Sequence, residues 1–222
     1  MESFTMYGQF RTRVKICGLT RAEDVHAAVQ AGADAIGLVM YPKSSRGLTV
    51  EHARLLRTEV PAFVSVVALF VNATDSEVRE VISQVQPDLL QFHGDETPEY
   101  CESFNHRYFR AFRAGAPGLD TPAGLLQTCQ RYRSASAWLF DSYSPGYGGS
   151  GVAIDASLLR SVQDAQDRRS LILAGGLSSA SVASSINLIR PYAVDISSGV
   201  ETSPGIKSAE KIRDFITAVR SA

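Results

Sequence analysis

Three cysteines are all the thiol this chain of 222 residues has. Cys17, Cys101 and Cys129 lack the spacing of a secreted disulfide scaffold. Their odd count fits a reducing compartment, so the cytoplasm is the expected location. No apolar run reaches membrane-spanning length, and no charged, then apolar, then small-residue leader opens the sequence. A formal net charge of -1 gives no bulk attraction to nucleic acid or to an acidic membrane surface. Metal-binding signatures are missing too: there is no HExxH, no CxxC pair and no dense His/Asp cluster. No GxGxxG follows the first apolar run, and there is no P-loop and no nucleophile elbow. What these shortages leave is cofactor-free and metal-free acid–base chemistry on a small molecule, without nucleic-acid or membrane partners. Nothing in the composition separates a monomer from a homodimer.

What the chain does have is rhythm. Hydrophobic residues make up 45% and charged residues 20%, an ordinary globular balance. Strand-like runs alternate with helical ones. "RVKICG" is followed by a segment with Val25, Ala28 and Val29 at helical spacing, which Gly32 can stop. "AIGLVMY", "VSVVALFV", "DLLQFHG", "YFRAFRA", "AWLFDS", "LILAGG" and "AVDISSG" supply the remaining strands. Between and after them come helical patterns, such as Val78, Val81, Ile82 and Val85 before Pro87, and Ile212, Phe215, Ile216 and Val219 at the end. A helix is also expected to begin around Asp155, beyond a long glycine-rich loop. Eight strand–helix units with no dividing linker predict a single-domain (β/α)8 barrel over residues 13–222, preceded by an extension over residues 1–12. The rival is an open doubly wound sheet, which usually has fewer strands and one dominant glycine-rich turn.

Barrels of this kind place their chemistry at the C-terminal ends of the strands. Those ends carry Cys17, then Lys43 and Arg46 in the next turn, Gln91 and His93, Arg110 and Arg113, Asp141, Gly175 and Gly176, and finally Asp195, Ser197, Ser198 and Gly199. The strand starts show no such concentration. Asp141 follows "AWLF" and either caps a loop or stands over the mouth, where desolvation would raise its pKa and let it act as a general acid. Cys17 shares a strand face with Lys15, whose buried ammonium would need a carboxylate, from Asp195 or Asp141. The lysine field is expected to favour a thiolate at Cys17. Cys101 and Cys129 read as small buried hydrophobes. Arg46 is either solvent-facing or an anion clamp, and His93 reads as a satisfied strand-end histidine rather than a base. "GYGGSG", with Gly149 and Gly151, "LAGGLS" and "DISSGVE" follow strands six, seven and eight. Together they predict a phosphate cradle near Gly176, Ser198 and Gly199, and so a phosphorylated small-molecule substrate.

The pieces "KICGLT", "GADAIGLVMYPKSSRG", "LFVN", "LLQFHGDE", "LFDS" with "GYGGSG", "LAGGLS" and "VDISSGVETSPGIK" run in one order across nearly the whole chain. In this the sequence resembles the phosphoribosylanthranilate isomerase family of tryptophan biosynthesis. The resemblance implies a cofactor-free Amadori rearrangement of N-(5-phosphoribosyl)anthranilate to the carboxyphenylamino-deoxyribulose 5-phosphate. It also implies that Cys17 is the general base, Asp141 the general acid, Arg46 a contact to the anthranilate carboxylate and Asp195 a contact to the sugar. Ser198 and the loop glycines would hold the phosphate. The chain departs from the family at Ser45, where a proline is usual, at Ala156, where a tryptophan is usual, and at Phe92, where leucine is commoner. The alternatives are another phosphosugar isomerase or epimerase on the same barrel, or a non-catalytic binder of phosphoribosyl ligands.

Overall fold

A computed structural model of the chain describes residues 11–143 and 154–222. Eight parallel strands close into a barrel in sequential order: β1 Arg13–Cys17, β2 Ala35–Val39, β3 Ser65–Phe70, β4 Leu89–Phe92, β5 Tyr108–Ala114, β6 Ala137–Ser142, β7 Ser170–Leu173 and β8 Ala193–Ile196. The ring shuts where Lys15 on β1 sits opposite Asp195 on β8. Closure removes the sheet edge that an open doubly wound arrangement would leave.

Helices return the chain after each strand: α1 Ala22–Ala31, α2 Val50–Thr58, α3 Asp75–Val85, α4 Pro98–Glu102, α5 Pro122–Gln130, α6 Arg160–Asp164, α7 Val182–Ile189 and α8 Ala209–Arg220. Threonine or serine hydroxyls cap α2, α3, α4, α5 and α8, because their oxygens accept the orphan N–H groups of the first turn. Gly32 ends α1 in the left-handed conformation. Ahead of Pro87, α3 stops on a left-handed Gln86. The helix expected near Asp155 starts as a 3-10 turn, Ala156–Leu159, capped by the Asp155 carboxylate.

Two apolar layers follow from strand alternation. Outward residues such as Ile16, Trp138, Phe140 and Val194 join the helices in the main core. Inward residues, among them Val67, Phe109, Leu139 and Ile172, fill the barrel. Phe92 belongs to the outer layer, where its ring lies within about 6 Å of Phe70, Tyr100, Phe104 and Tyr108. That aromatic cluster is how the chain accommodates phenylalanine in place of leucine. Cys101 and Cys129 are fully buried in the same outer core, as expected of small hydrophobes.

One element escaped the sequence reading. After β8 the chain makes a 3-10 turn, Ser198–Val200, and then an antiparallel pair, β9 Glu201–Ser203 and β10 Ile206–Lys207. Gly205 turns this hairpin with a positive φ of 84°, and its carbonyl accepts the Thr20 hydroxyl from the loop after β1. The hairpin therefore stands beside the barrel mouth.

Candidate active site

The mouth holds a cavity of about 270 Å³. Its walls include Cys17, Arg46, Asp141, Gly175, Gly176, Asp195, Ser198 and Gly199, together with Tyr41, Ser44, Gln91, His93 and Arg113. The proposed acid, base and substrate contacts among the described residues thus lie on one pocket; Gly149 and Gly151 fall outside the described residues. Lys43 does not line the pocket and is exposed. Nor does Arg110, which is buried and donates to the carbonyls of Phe92, Ala111 and Gly94. It pins the loop that carries His93.

Cys17 closes β1 facing inward, with Lys15 one layer below. Gly37 on β2 makes room for both: a Cβ there would stand 2.7 Å from Cys17 Sγ and 3.1 Å from Lys15 Cε. Lys15 Nζ donates to Asp195 Oδ1 at 2.8 Å, and both side chains are buried. Of the two carboxylates considered for this pairing, the structure uses Asp195. Burial works against the ammonium, but Asp195 and the Cys17 sulfur outweigh it and hold Lys15 above its usual pKa. The lysine field acts on Cys17 in the expected direction, toward the thiolate, but is outweighed. Burial pushes the Cys17 thiol up, and the opposing pull of Lys15 does not cancel it.

Asp141, near the end of β6, is pushed up to about 6, first by burial and then by Asp195; the Ser142 N–H and Lys15 offset part of this. Its Oδ1 takes no hydrogen bond among the described residues. Gly175 is required beside it, because a Cβ there would come within 2.5 Å of that same oxygen and of Ser142 N. His93 Nε2 lies 3.6 Å from Asp141 Oδ2, beyond hydrogen-bond reach. Burial, then Arg110, Lys15 and Arg113, lower His93 to about 3, so the ring is neutral. Its Nδ1 is 3.3 Å from Gln91 Nε2, and Gln91 Oε1 is buried without a partner among the described residues.

Arg46 grips a carboxylate, but it is the chain's own. Its Nε and Nη2 donate to the two oxygens of Glu201, both at 2.7 Å. Lys207 Nζ also reaches Glu201, at 2.7 Å. Burial disfavours charge on Glu201, yet Arg46 and Lys207 hold its carboxyl below the usual range. Sequence reasoning missed Glu201 and Lys207. The available signal was the "SPG" turn between them, which sets up a short hairpin with the two side chains across from each other.

Gly175 and Gly176 have φ values of 78° and 64°. A Cβ on Gly199 would lie 2.4 Å from the Leu177 carbonyl. Small residues here let the loops after β7 and β8 approach each other at the cavity wall.

The N-(5'phosphoribosyl)anthranilate (PRA) isomerase family model matches residues 14–218. The N-(5'-phosphoribosyl)anthranilate isomerase of Bordetella bronchiseptica is 59% identical over 211 residues, covering 95% of this chain and 97% of the relative. The phosphoribosyl anthranilate isomerase of Thermotoga maritima superposes with a TM-score of 0.85 at 38% identity, over 95% of this chain and all of that one (100%). A phosphoribosyl anthranilate isomerase in complex with reduced 1-(o-carboxyphenylamino)-1-deoxyribulose 5-phosphate gives 0.81 at 36% identity, with the same coverage, 95% and 100%. Monomers generated from the dimeric Thermotoga maritima enzyme give 0.81 at 35% identity, again over 95% and 100%.

Proposed function

The chain belongs to the N-(5'-phosphoribosyl)anthranilate isomerase family, and from that premise we propose how its pocket carries out the reaction. It isomerises N-(5'-phosphoribosyl)anthranilate in tryptophan biosynthesis. We assign the general acid to Asp141 and the general base to Cys17. The observation that carries this is that a carboxyl raised to about 6 and an inward thiol line one cavity from strands far apart around the ring.

In this reading the protonated Asp141 gives its proton to the furanose ring oxygen as the C1–O bond breaks. The nitrogen lone pair forms the iminium. Its positive charge acidifies the C2 proton, which the Cys17 thiolate removes, and the enolamine tautomerises to the ketone. Asp195, fixed through one oxygen by Lys15, has its other oxygen for a sugar hydroxyl. Backbone N–H groups near Gly176, Ser198 and Gly199 receive the phosphate, and Arg46 keeps unused guanidinium hydrogens for the anthranilate carboxylate.

Both catalytic groups must be in their minority forms together near neutral pH: an acid with pKa about 6 still protonated and a thiol of raised pKa already ionised. The product of those fractions rises with pH up to about 6, is level above that, and falls only past the thiol's own pKa. The low-pH limb therefore reads Asp141 and the high-pH limb Cys17.

Fluorescence loss on substrate consumption measures turnover. Asp141→Asn and Cys17→Ala should each lower kcat by about 10² to 10⁴ while still binding the reduced product. Near-parental kcat/KM in either would overturn its assignment. The three free cysteines, all buried, support a reducing cytoplasm as the location, and the dimeric Thermotoga maritima enzyme supports a homodimer.

A further inference from the structure

Arg46 projects from the loop after β2, and its stem crosses directly over Gly18. A Cβ on Gly18 would come within 2.4 Å of Arg46 Cδ. From there the guanidinium meets Glu201 through two parallel hydrogen bonds of 2.7 Å. Those bonds use Nε and one Nη2 hydrogen, leaving three of the five guanidinium hydrogens free for another acceptor. The Arg46 side chain keeps 22% exposure and lines the cavity, whereas the Glu201 side chain is 6% exposed and does not line it. Glu201 is itself immobilised. Lys207 Nζ donates to its Oε1 at 2.7 Å and to the Ser197 carbonyl at 3.1 Å, and Lys211 Nζ holds the Glu201 carbonyl at 2.7 Å.

An arginine on a flexible stem loses rotamer freedom when it binds a ligand. Here that freedom is removed beforehand by a buried carboxylate on the hairpin β9–β10. The planar fork of arginine suits the arrangement, because one edge can be held while the other serves a carboxylate.

We propose that Glu201 is a positioning residue for substrate recognition: it locks one edge of the Arg46 guanidinium and leaves the other edge set for the anthranilate carboxylate. Lys207 balances its charge, so Arg46 remains net attractive to an anion. The inference rests on the assignment of Arg46 to that carboxylate, and the test separates the two.

The probes are reduced 1-(o-carboxyphenylamino)-1-deoxyribulose 5-phosphate and the same reduced compound made from aniline, which lacks the carboxylate. Affinities are measured by calorimetry, with KM and kcat alongside. Glu201→Gln should weaken the first probe about 10- to 100-fold, leave the aniline probe within about threefold, and raise KM more than it lowers kcat. In an Arg46→Ala background, Glu201→Gln should cause no further loss, since its effect passes through Arg46. A general structural role would instead weaken both probes and persist without Arg46, which would overturn the proposal. If Arg46→Ala spares the carboxylate probe, the assignment of Arg46 fails and the inference with it. If Arg46→Ala weakens that probe and Glu201→Gln does not, the inference alone fails. Should Glu201→Gln not fold, Glu201→Asp, which keeps a carboxylate for Lys207 while withdrawing it from Arg46, carries the same comparison with the same expected loss of carboxylate selectivity.

Discussion

The two walls of the pocket hold their buried polar groups differently, although ion pairs such as Arg113–Asp95 stand on both sides. On the side of β8, β1 and β2, the charges come in closed pairs: Lys15 with Asp195 at 2.8 Å, and Arg46 and Lys207 with Glu201 at 2.7 Å. On the side of β4 to β6, buried polar atoms lack partners among the described residues: Gln91 Oε1 and Asp141 Oδ1. There Asp141 sits near 6 and His93 near 3, both driven by burial toward neutrality. The paired wall fixes charge in place, which suits holding an anionic or hydroxylated ligand. The second wall keeps a carboxyl whose proton is easily exchanged, which suits an acid. Cys17 belongs spatially to the first wall, and its raised thiol shows that even there desolvation outweighs a neighbouring ammonium.

Breaking a pair on the closed wall should have the largest effect on stability. Lys15→Met leaves Asp195 buried without its cation, and a loss of about 3–5 kcal/mol is expected in urea unfolding. It should also move the high-pH limb of the rate profile upward, because the Cys17 thiolate loses its nearest cation. An unmoved limb with activity retained would remove Lys15 from that role.

Relieving the open wall should stabilise the fold, with a defined pH window. A folded-state pKa near 6 lies above the unfolded value, so the protonated carboxyl is favoured by folding. That stability is present at acid pH and is lost as pH rises through about 6. Asp141→Asn should therefore gain about 2–3 kcal/mol over the parent at pH 8 and almost nothing at pH 4. Equal Tm differences at both pH values would contradict the unpaired state of Asp141.

His93 reverses the sign. Its folded pKa of about 3 lies below the unfolded value, so its contribution is complete above pH 6.5 and is lost as pH falls toward 3. His93→Gln should flatten that acid-side decline. Being neutral and 3.6 Å from Asp141, His93 should affect the low-pH rate limb least of all, by about half a pH unit or less. A larger displacement would make the two walls less independent than their geometry suggests.

Much of the barrel was legible because its signals are local. The boundaries of β5 and β6 match the runs "YFRAFRA" and "AWLFDS", and Gly32 ends α1 as its position suggested. Strand alternation put Cys17 on the same face as Lys15, and the barrel rule gathered Cys17, Asp141 and Asp195 at one mouth. The short α4 and α6 were harder, since five residues give a weak periodic pattern. The hairpin after β8 was invisible as a partner of Arg46, because 155 positions separate that residue from Glu201.

The sequence by itself determined the alternation of strand and helix and gathered the polar residues at the strand ends, although two of those, Lys43 and Arg110, do not line the cavity. That alternation and that gathering depend on a period of two, a period of 3.6 and chain order. Only the tertiary structure decided between Asp195 and Asp141 as the partner of Lys15, joined Arg46 to Glu201, and left Asp141 Oδ1 without a hydrogen bond among the described residues. It also decided the protonation of Cys17, since a thiol's pKa follows how much water is excluded around it, and that exclusion exists only once the barrel has closed.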